Sequence, residues 1–339
     1  MVPSRSLAVV VLIVALLPIT AHAWDRGSVQ RFATLPAGTA HPEGIAVDRS
    51  GNVWVADFDV TKSAGPGDVL AFQPDGKLLR HLRPTGSSNF LLGLDFHPIT
   101  GAFLVIDFGN KKVIQVDPST GATTDFATLT PADAAGAGLN ALTFDTAGNV
   151  YVSDSFQGKI WRTGPGGGVM TAWASDPKLT TTGVPPFGAN GLAFNRAHDT
   201  LFVANTGNDS IVQISAADPT DVTVFTNSIN GADGLVIDAE DNLWVAANQS
   251  DEIVVVNPAG RVIAKLGDFD GVDAHGSPRG LLFPASPVLH GGFLYITNLS
   301  LDLKAAIGQP AVDGPWAAQV TRHTVSRMPA RIPPIQGLP

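Results

Sequence analysis

Short apolar runs recur along the chain in pairs, and the two runs of a pair are separated by a polar turn. The stretch 230–248, NGADGLVIDAEDNLWVAAN, is one such pair; 187–205, FGANGLAFNRAHDTLFVAN, and 40–57, AHPEGIAVDRSGNVWVAD, are two others. Each run is short, tends to alternate and is bounded by turn residues, which is typical of β-strands. The pattern therefore predicts a succession of β-hairpins.

The same pattern occurs six times along the chain. The six copies can be aligned on one position, the residue that comes directly before a small residue and an apolar run. These anchor residues are Glu43, Leu92, Asn140, Asn190, Asp233 and Arg279. Successive anchors lie 43 to 50 residues apart, which is the length of a four-stranded blade. The repeat predicts an all-β fold, a six-bladed β-propeller of four-stranded blades.

The two ends of the repeat region are expected to meet in the last blade. FATL occurs at 32–35 and again at 126–129, where it falls in the outer strand of the second blade. The first copy therefore predicts an N-terminal strand that closes the sixth blade, beside the inner strands RGLLFP, FLYITN and AAQVTRHTV. The predicted organisation is a propeller over 24–325 and a Pro-rich C-terminal tail over 326–339.

Residues 1–23 have the features of a secretory signal peptide. MVPSRS carries one Arg, LAVVVLIVALLPI is apolar, and AHA at 21–23 resembles a cleavage site. We expect an exported protein, periplasmic or secreted, with no membrane span in the mature chain. The chain has no Cys, so its core must be stable without disulfides.

The charge balance restricts the partners. The net charge is −9 and the basic residues are scattered, which argues against nucleic acid. We expect a monomer that acts on a small molecule.

Several recurring side chains are interpreted as structural. Asp48, Asp145 and Asp238 begin hairpin turns and are expected to cap them. Aromatic residues recur at the second position of the second strand and are expected to pack blade against blade: Trp54, Tyr151, Phe202, Trp244 and Tyr295.

Four anchor residues predict a metal site. The inner strands of a propeller run in the same direction along the central tunnel, so Glu43, Asn140, Asn190 and Asp233 should converge at one mouth. Two carboxylates and two amide oxygens suit a hard divalent cation, and Ca²⁺ tolerates such irregular oxygen sets. The absence of thiolates, and of His at any anchor, argues against zinc or copper. The alternative is that these polar side chains merely solvate the tunnel.

The units resemble NHL repeats, and the chain as a whole resembles the six-bladed superfamily that contains senescence marker protein/gluconolactonase, diisopropyl fluorophosphatase and paraoxonase. The resemblance covers nearly all of 29–325 and rests on the repeated frame and on the anchor set. It implies one tunnel calcium held by Glu43, Asn140, Asn190 and Asp233. It also implies that the protein hydrolyses a lactone or another ester, with the calcium acting as a Lewis acid.

Further catalytic roles are assigned as hypotheses. Asp233 is the candidate general base or nucleophile, and His41 and His275 are alternative bases in loops near the same mouth. Arg279 is expected to open the sixth inner strand. There it would either bind the substrate or pair with Glu43 and Asp233 in place of the metal.

Two other functions remain open. The repeat needs no chemistry, so the chain is alternatively a non-catalytic NHL-type propeller that binds a protein, peptide or glycan. A strictosidine-synthase-like lyase or ligase is a third possibility, against which the calcium-type anchor set argues.

Overall fold

β-strands are the main regular secondary structure of this computed structural model, which describes residues 25–309, 311 and 313–334. The predicted signal peptide, residues 1–23, lies outside the described residues. Within the described residues, no helix is long and apolar enough to cross a membrane.

The strands are numbered along the chain, starting with β1 (Gln30–Thr34). Five four-stranded units follow it in order: β2 (Pro42–Val47), β3 (Val53–Asp57), β4 (Val69–Phe72), β5 (Leu78–Leu82); β6 (Leu91–Phe96), β7 (Phe103–Asp107), β8 (Lys112–Val116), β9 (Thr123–Thr128); β10 (Leu139–Phe144), β11 (Val150–Asp154), β12 (Lys159–Gly164), β13 (Gly167–Ser175); β14 (Ala189–Phe194), β15 (Thr200–Asn205), β16 (Ser210–Ser215), β17 (Val222–Asn227); β18 (Ala232–Ile237), β19 (Leu243–Ala247), β20 (Glu252–Val256), β21 (Val262–Leu266). The last strands are β22 (Phe269–Val272), β23 (Pro278–Gly280), β24 (Pro284–His290), β25 (Phe293–Asn298) and β26 (Thr324–Pro329).

Helices are short and lie in the connections. They are α1 (Pro131–Ala134), α2 (Leu303–Ile307) and α3 (Gly314–Ala317), together with one 3₁₀ turn, Pro177–Leu179. Helices α2 and α3 belong to the long connection between β25 and β26.

The four-stranded units form a closed ring. Each consists of four antiparallel strands with the first strand innermost, and the sixth consists of β24, β25, β26 and β1. The outer strands of the second and third units, β9 and β13, also pair in parallel, which joins these two units into one eight-stranded sheet. The innermost strands touch in cyclic order, β2 to β6, β10, β14, β18, β24 and back to β2. The predicted β-propeller is therefore confirmed, and its strand pattern is consistent with six blades, so the units are called blades 1 to 6 from here on.

The N-terminal strand closes blade 6, as predicted. Strand β1 pairs antiparallel with β26, from Gln30 opposite Arg327 to Thr34 opposite Thr324. This pairing leaves the last blade with a full set of strands although its strands come from both ends of the chain.

The predicted strands of blade 6 need correction. The inner strand is Pro284–His290 and not RGLLFP at 279–284, and the third strand is Thr324–Pro329. The boundary predicted at residue 325 therefore falls inside β26. The prediction failed because blade 6 has Ala285 and Ser286 where the other blades have the anchor and its Gly or Ala. An unrelated Arg-Gly pair in the β22–β23 hairpin was aligned with the repeat instead.

The hairpin aspartates cap their turns. The Asp48 carboxylate accepts hydrogen bonds from the backbone N–H groups of Ser50 and Asn52 and from Trp54 Nε1, 2.9 Å away. Asp238 accepts from Trp244 Nε1 and Asp145 from the Tyr151 hydroxyl in the same way. The recurring aromatic residue thus joins the turn to the buried blade surface.

Glycine follows the anchor because neighbouring inner strands approach backbone to backbone. A Cβ on Gly191 would lie 2.6 Å from the Asp233 carbonyl oxygen and 2.6 Å from the Gly234 Cα. A Cβ on Gly234 would lie 2.6 Å from the Ala285 carbonyl oxygen in blade 6. Such distances leave no space for a side chain, so this glycine sets how closely the blades pack around the axis.

We predict that Gly191→Ala destabilises the protein by about 1–3 kcal/mol, because the added methyl group meets backbone atoms that no rotamer change can move away. Gly166→Ala is the control, since a Cβ there has no neighbour within 4 Å and the backbone is not in the left-handed region. Urea denaturation of both variants measures the difference. Equal stability of the two variants would show that the inner strands have room to separate.

Candidate functional site

The four polar anchors lie at one mouth of the tunnel. Glu43, Asn140, Asn190 and Asp233 are each the second residue of the innermost strand of their blade, and all four line one cavity of about 50 Å³. All four residues are buried, with at most 6% of their surface exposed. The shared strand position explains why residues distant in sequence meet here.

Three oxygen atoms of this set have no hydrogen-bond partner. They are Glu43 Oε2, Asn140 Oδ1 and Asp233 Oδ1. A buried polar atom without a partner costs about 1–3 kcal/mol, and more when it is charged. Three such atoms around one cavity indicate that something other than a protein side chain satisfies them.

The two amide side chains are held with their oxygens toward the cavity. Asn140 Nδ2 donates to Ser155 Oγ at 3.3 Å, and that hydroxyl donates to the Ala189 carbonyl oxygen at 2.7 Å. Asn190 Nδ2 donates to Thr206 Oγ1 at 3.0 Å. Because the nitrogen of each amide is engaged by a hydroxyl group, the amide oxygen is the atom left for a ligand.

A third supporting residue holds one carboxylate. Asn248 Nδ2 donates to Asp233 Oδ2 at 2.9 Å, which leaves Oδ1 free, and Gln249 Nε2 in turn donates to Asn248 Oδ1.

Sequence reasoning missed the supporting residues Ser155, Thr206 and Asn248. Each directly follows the second strand of its blade, 15 or 16 residues after the anchor that it supports. That constant spacing was a usable signal in the repeat.

The pKa values of both carboxylates are raised. Burial, and secondly the charge of Asp233, raises the pKa of Glu43 well above its usual range. Burial also raises the pKa of Asp233, to about 7, although the hydrogen bond from Asn248 acts in the opposite direction. Both shifts mean that the charged pair is unfavourable in this environment unless a cation neutralises it.

The oxygen set fits a divalent cation of the calcium type. It offers two carboxylates and two amide oxygens, and three of these oxygens are unpaired. Within the described residues no group of three or more His, Asp or Glu side chains is placed to hold a metal, so a cation here would depend on the amide oxygens. This requirement again favours a hard cation over zinc.

Arg279 is not part of this site, so its predicted position is wrong. It lies on the exposed β23 of the β22–β23 hairpin, where its guanidinium donates to the Asp270 carbonyl oxygen. The anchor of blade 6 is the buried Ala285. Among the described residues that line the cavity, none is Lys or Arg. An ion pair between Arg279 and the two carboxylates is therefore excluded.

The two candidate histidines are placed differently. His41 is buried behind the cavity wall, with Nδ1 3.0 Å from the carbonyl oxygen of Leu299, and burial lowers its pKa. Its ring packs edge to face against that of His323. His275 is exposed in the β22–β23 turn, where its backbone N–H donates to Asp273. Neither histidine lines the cavity, and only His41 contacts a residue that does.

Most of the remaining residues that line the cavity are apolar. Leu92 occupies the anchor position of blade 2, and Phe58 follows the second strand of blade 1. Leu299, Leu301 and Leu303 come from the connection that leaves β25 and packs against Phe283. The site thus combines oxygen atoms from four blades with hydrocarbon from Leu92 and from the loops above the inner strands.

Comparison with protein families identifies the chain. The sequence model of the SMP-30/gluconolactonase/LRE-like region matches residues 98–267, and that of the NHL repeat matches residues 39–60. The first match covers half of the chain, which therefore belongs to the SMP-30/gluconolactonase/LRE-like family. No curated protein matches the chain in sequence.

Solved structures share the fold at low sequence identity. Regucalcin from Agrobacterium tumefaciens, described as a calcium-binding protein, is 18% identical with a TM-score of 0.59, covering 91% of this chain and 99% of that one. A gluconolactonase from Xanthomonas campestris is 15% identical with a TM-score of 0.60, covering 90% and 91%. Virginiamycin B lyase from Staphylococcus aureus is 17% identical with a TM-score of 0.54, covering 80% and 81%.

We predict that burial of the two carboxylates lowers the stability of chelator-treated protein as the pH rises. The folded-state pKa of Asp233, about 7, lies above its ordinary value of 3.8. Between pH 3.8 and about pH 7 the native state therefore binds more protons than the unfolded state does. The free energy of unfolding consequently falls as the pH rises through this window. Asp233→Asn removes this titration, so the variant should gain stability relative to wild type from about pH 4 to pH 7.

Asp75→Asn is the control. Lys77 lowers the pKa of the exposed Asp75 carboxyl, so ionisation of Asp75 changes the stability in the direction opposite to that of Asp233. Urea denaturation across the window in EGTA gives both differences. A difference between Asp233→Asn and wild type that stays constant with pH would mean that Asp233 does not take up a proton in the folded state.

Proposed function

We propose that this protein is a calcium-dependent hydrolase of a lactone or another ester. The observation that carries the proposal is the set of three unpaired buried oxygens on Glu43, Asn140 and Asp233, which surround one cavity. Membership of the SMP-30/gluconolactonase/LRE-like family supports it.

Glu43, Asn140, Asn190 and Asp233 are the residues that would hold the cation. Their combined charge of −2 would be neutralised by one Ca²⁺, which removes the unfavourable interaction between the two carboxylates. Ser155, Thr206 and Asn248 would keep the ligand side chains in place, as outer-shell groups do at other metal sites. A bound calcium supplies a Lewis acid that polarises the carbonyl oxygen of the substrate.

Asp233 is our candidate for the residue that accepts a proton from water, or attacks directly. Its Oδ2 is fixed by Asn248 and its Oδ1 faces the cavity side without a partner. A general base must be within hydrogen-bond reach of the proton that it removes, and Asp233 is a carboxylate that lines the cavity. His275 and Arg279 are not retained as catalytic candidates, since both lie on the exposed hairpin.

The competing function is that of a binding propeller without catalysis. The NHL repeat match at 39–60 favours it, because such repeats need no chemistry. The fold likeness to virginiamycin B lyase also leaves room for a non-hydrolytic reaction. The experiment below separates these functions.

We also propose that the protein is exported and acts as a monomer on a small molecule. The apolar N-terminal segment, with its AHA sequence, supports export, and the buried position of the polar residues that line the cavity supports a small molecule as substrate.

We predict that removal of calcium abolishes ester hydrolysis. Purified protein is assayed on lactones, aryl esters and organophosphates with EGTA and after calcium is restored, and calcium binding is measured by calorimetry. Wild type should bind one calcium, with a raised melting temperature. Asp233→Asn should lose at least about tenfold in affinity, because it removes a charged ligand, and should lose activity. Asp75→Asn should match wild type.

Full activity in EGTA would contradict the calcium mechanism. Calcium binding without hydrolysis of any of these substrates would favour the binding propeller.

We further predict that Thr206→Val weakens calcium binding about 10- to 100-fold, because the Asn190 amide loses the hydroxyl that orients it. The substitution keeps the shape of the side chain. Thr223→Val is the matched control, since the Thr223 hydroxyl accepts from Gln213 on the outer part of the same blade. Calorimetry on both variants decides. Equal affinities would mean that Asn190 does not contribute a ligand.

A further inference from the structure

The mouth of the cavity carries a continuous row of phenylalanine rings. Phe90 packs against Phe58 with ring centroids 4.8 Å apart, and Phe58 against Phe108 at 5.7 Å. Phe108 packs against Phe156 at 5.9 Å, and Phe156 against Phe187 at 5.6 Å. We call these five rings the aromatic arc.

The aromatic arc belongs to the same mouth as the oxygen set. Phe58 and Phe187 line the cavity themselves. Phe108 directly follows the second strand of blade 2, as Phe58 does in blade 1, and Phe156 lies one position further on in blade 3. The arc therefore runs along the rim from blade 1 past blade 2 to blade 3.

Solvent reaches the aromatic arc. Phe156 is 46% exposed, and the other four rings are only partly buried. Contiguous exposed apolar surface is uncommon on a soluble protein, and beside a cavity it marks a place where apolar matter binds.

The cavity lining next to the arc has few groups that could form hydrogen bonds with a polar substrate. Leu92, Phe283, Leu299 and Leu303 are hydrocarbon, and the amide nitrogens of Asn140, Asn190 and Asn248 already donate to internal partners. Apart from the oxygens that would hold the cation, each hydroxyl of a sugar lactone would lose its water and find few groups to bond with. A polyhydroxylated substrate is therefore disfavoured here.

We propose that the substrate is an apolar lactone or ester, whose alkyl or aryl portion lies on the aromatic arc while its carbonyl group faces the oxygen set. This inference rests on the proposed hydrolase function. Leu92 and the arc are the residues that select the substrate, since they supply apolar surface from the oxygen set out to the rim.

The first test compares kcat/KM of the calcium-loaded enzyme on a series of aliphatic γ-lactones of increasing chain length, on phenyl acetate and on glucono-δ-lactone. We expect kcat/KM to rise up to about fourfold per methylene while the chain remains on the arc. Glucono-δ-lactone should be the poorest substrate. Preferred hydrolysis of glucono-δ-lactone would overturn the inference and leave the proposed function intact, whereas no hydrolysis of any substrate would overturn both.

The second test uses Phe156→Ser, a change at an exposed ring that should not affect folding. It should raise KM for the long-chain lactones up to about tenfold, because their alkyl chain loses its contacts with the Phe156 ring. KM for glucono-δ-lactone should stay unchanged, because this substrate has no alkyl chain to contact the ring. Phe293→Ser is the matched control: its ring is partly exposed too, but at the other end of β25. Equal effects on both substrate classes would overturn the role of the arc.

Leu92→Asn tests the inner wall, with Leu92→Met as the apolar control of similar volume. The asparagine should shift the ratio of kcat/KM toward glucono-δ-lactone by about tenfold, since it adds polar groups beside the oxygen set. The methionine should keep the apolar preference. An unchanged ratio in a folded Leu92→Asn protein would show that this wall does not select the substrate.

Discussion

The close approach of neighbouring inner strands is the constraint on which the rest of this structure depends. Gly191 lies against the backbone of Asp233 and Gly234, and Gly234 against that of Ala285. Each anchor is adjacent in sequence to such a contact. The packing that closes the ring therefore also fixes the positions of the anchor Cα atoms, from which the side chains extend. Thr297 of blade 6 adds a further tie, because its hydroxyl donates to the Glu43 carbonyl oxygen at 2.6 Å.

The same geometry creates an electrostatic problem that defines the site. Two carboxylates and two amides point toward one small buried space, and no cationic side chain among the described residues lines it. Burial raises the pKa of both acids. A propeller that only needed to fill its tunnel would be more stable with apolar anchors, as Leu92 and Ala285 illustrate in blades 2 and 6. The polar anchors are therefore best explained by a ligand that neutralises them.

The site is asymmetric although the scaffold is not. Blades 3, 4 and 5 supply Ser155, Thr206 and Asn248 behind their anchors, whereas blades 1, 2 and 6 have Phe58, Phe108 and Leu299 at the corresponding place after the second strand. Three blades thus place a polar side chain behind their anchor, and the other three place hydrocarbon there, although blade 1 also supplies the carboxylate of Glu43. The apolar ester that we propose as substrate has the same division, with a polar carboxyl centre and an apolar remainder.

The sequence by itself determined the fold, the blade length, the N-terminal closure and four residues of the candidate site. These follow from local patterns: strand periodicity, turn residues and a frame repeated with one variable position. The sixth blade and Arg279 could not be placed this way, because Ala285 and Ser286 carry no repeat signal and the Arg-Gly pair of a hairpin imitated one. Only the tertiary structure decided which oxygens lack partners, which hydroxyls orient the amides and which phenylalanines from separate blades form one surface. Those properties depend on distances between side chains far apart in the chain, and residue types alone do not specify them.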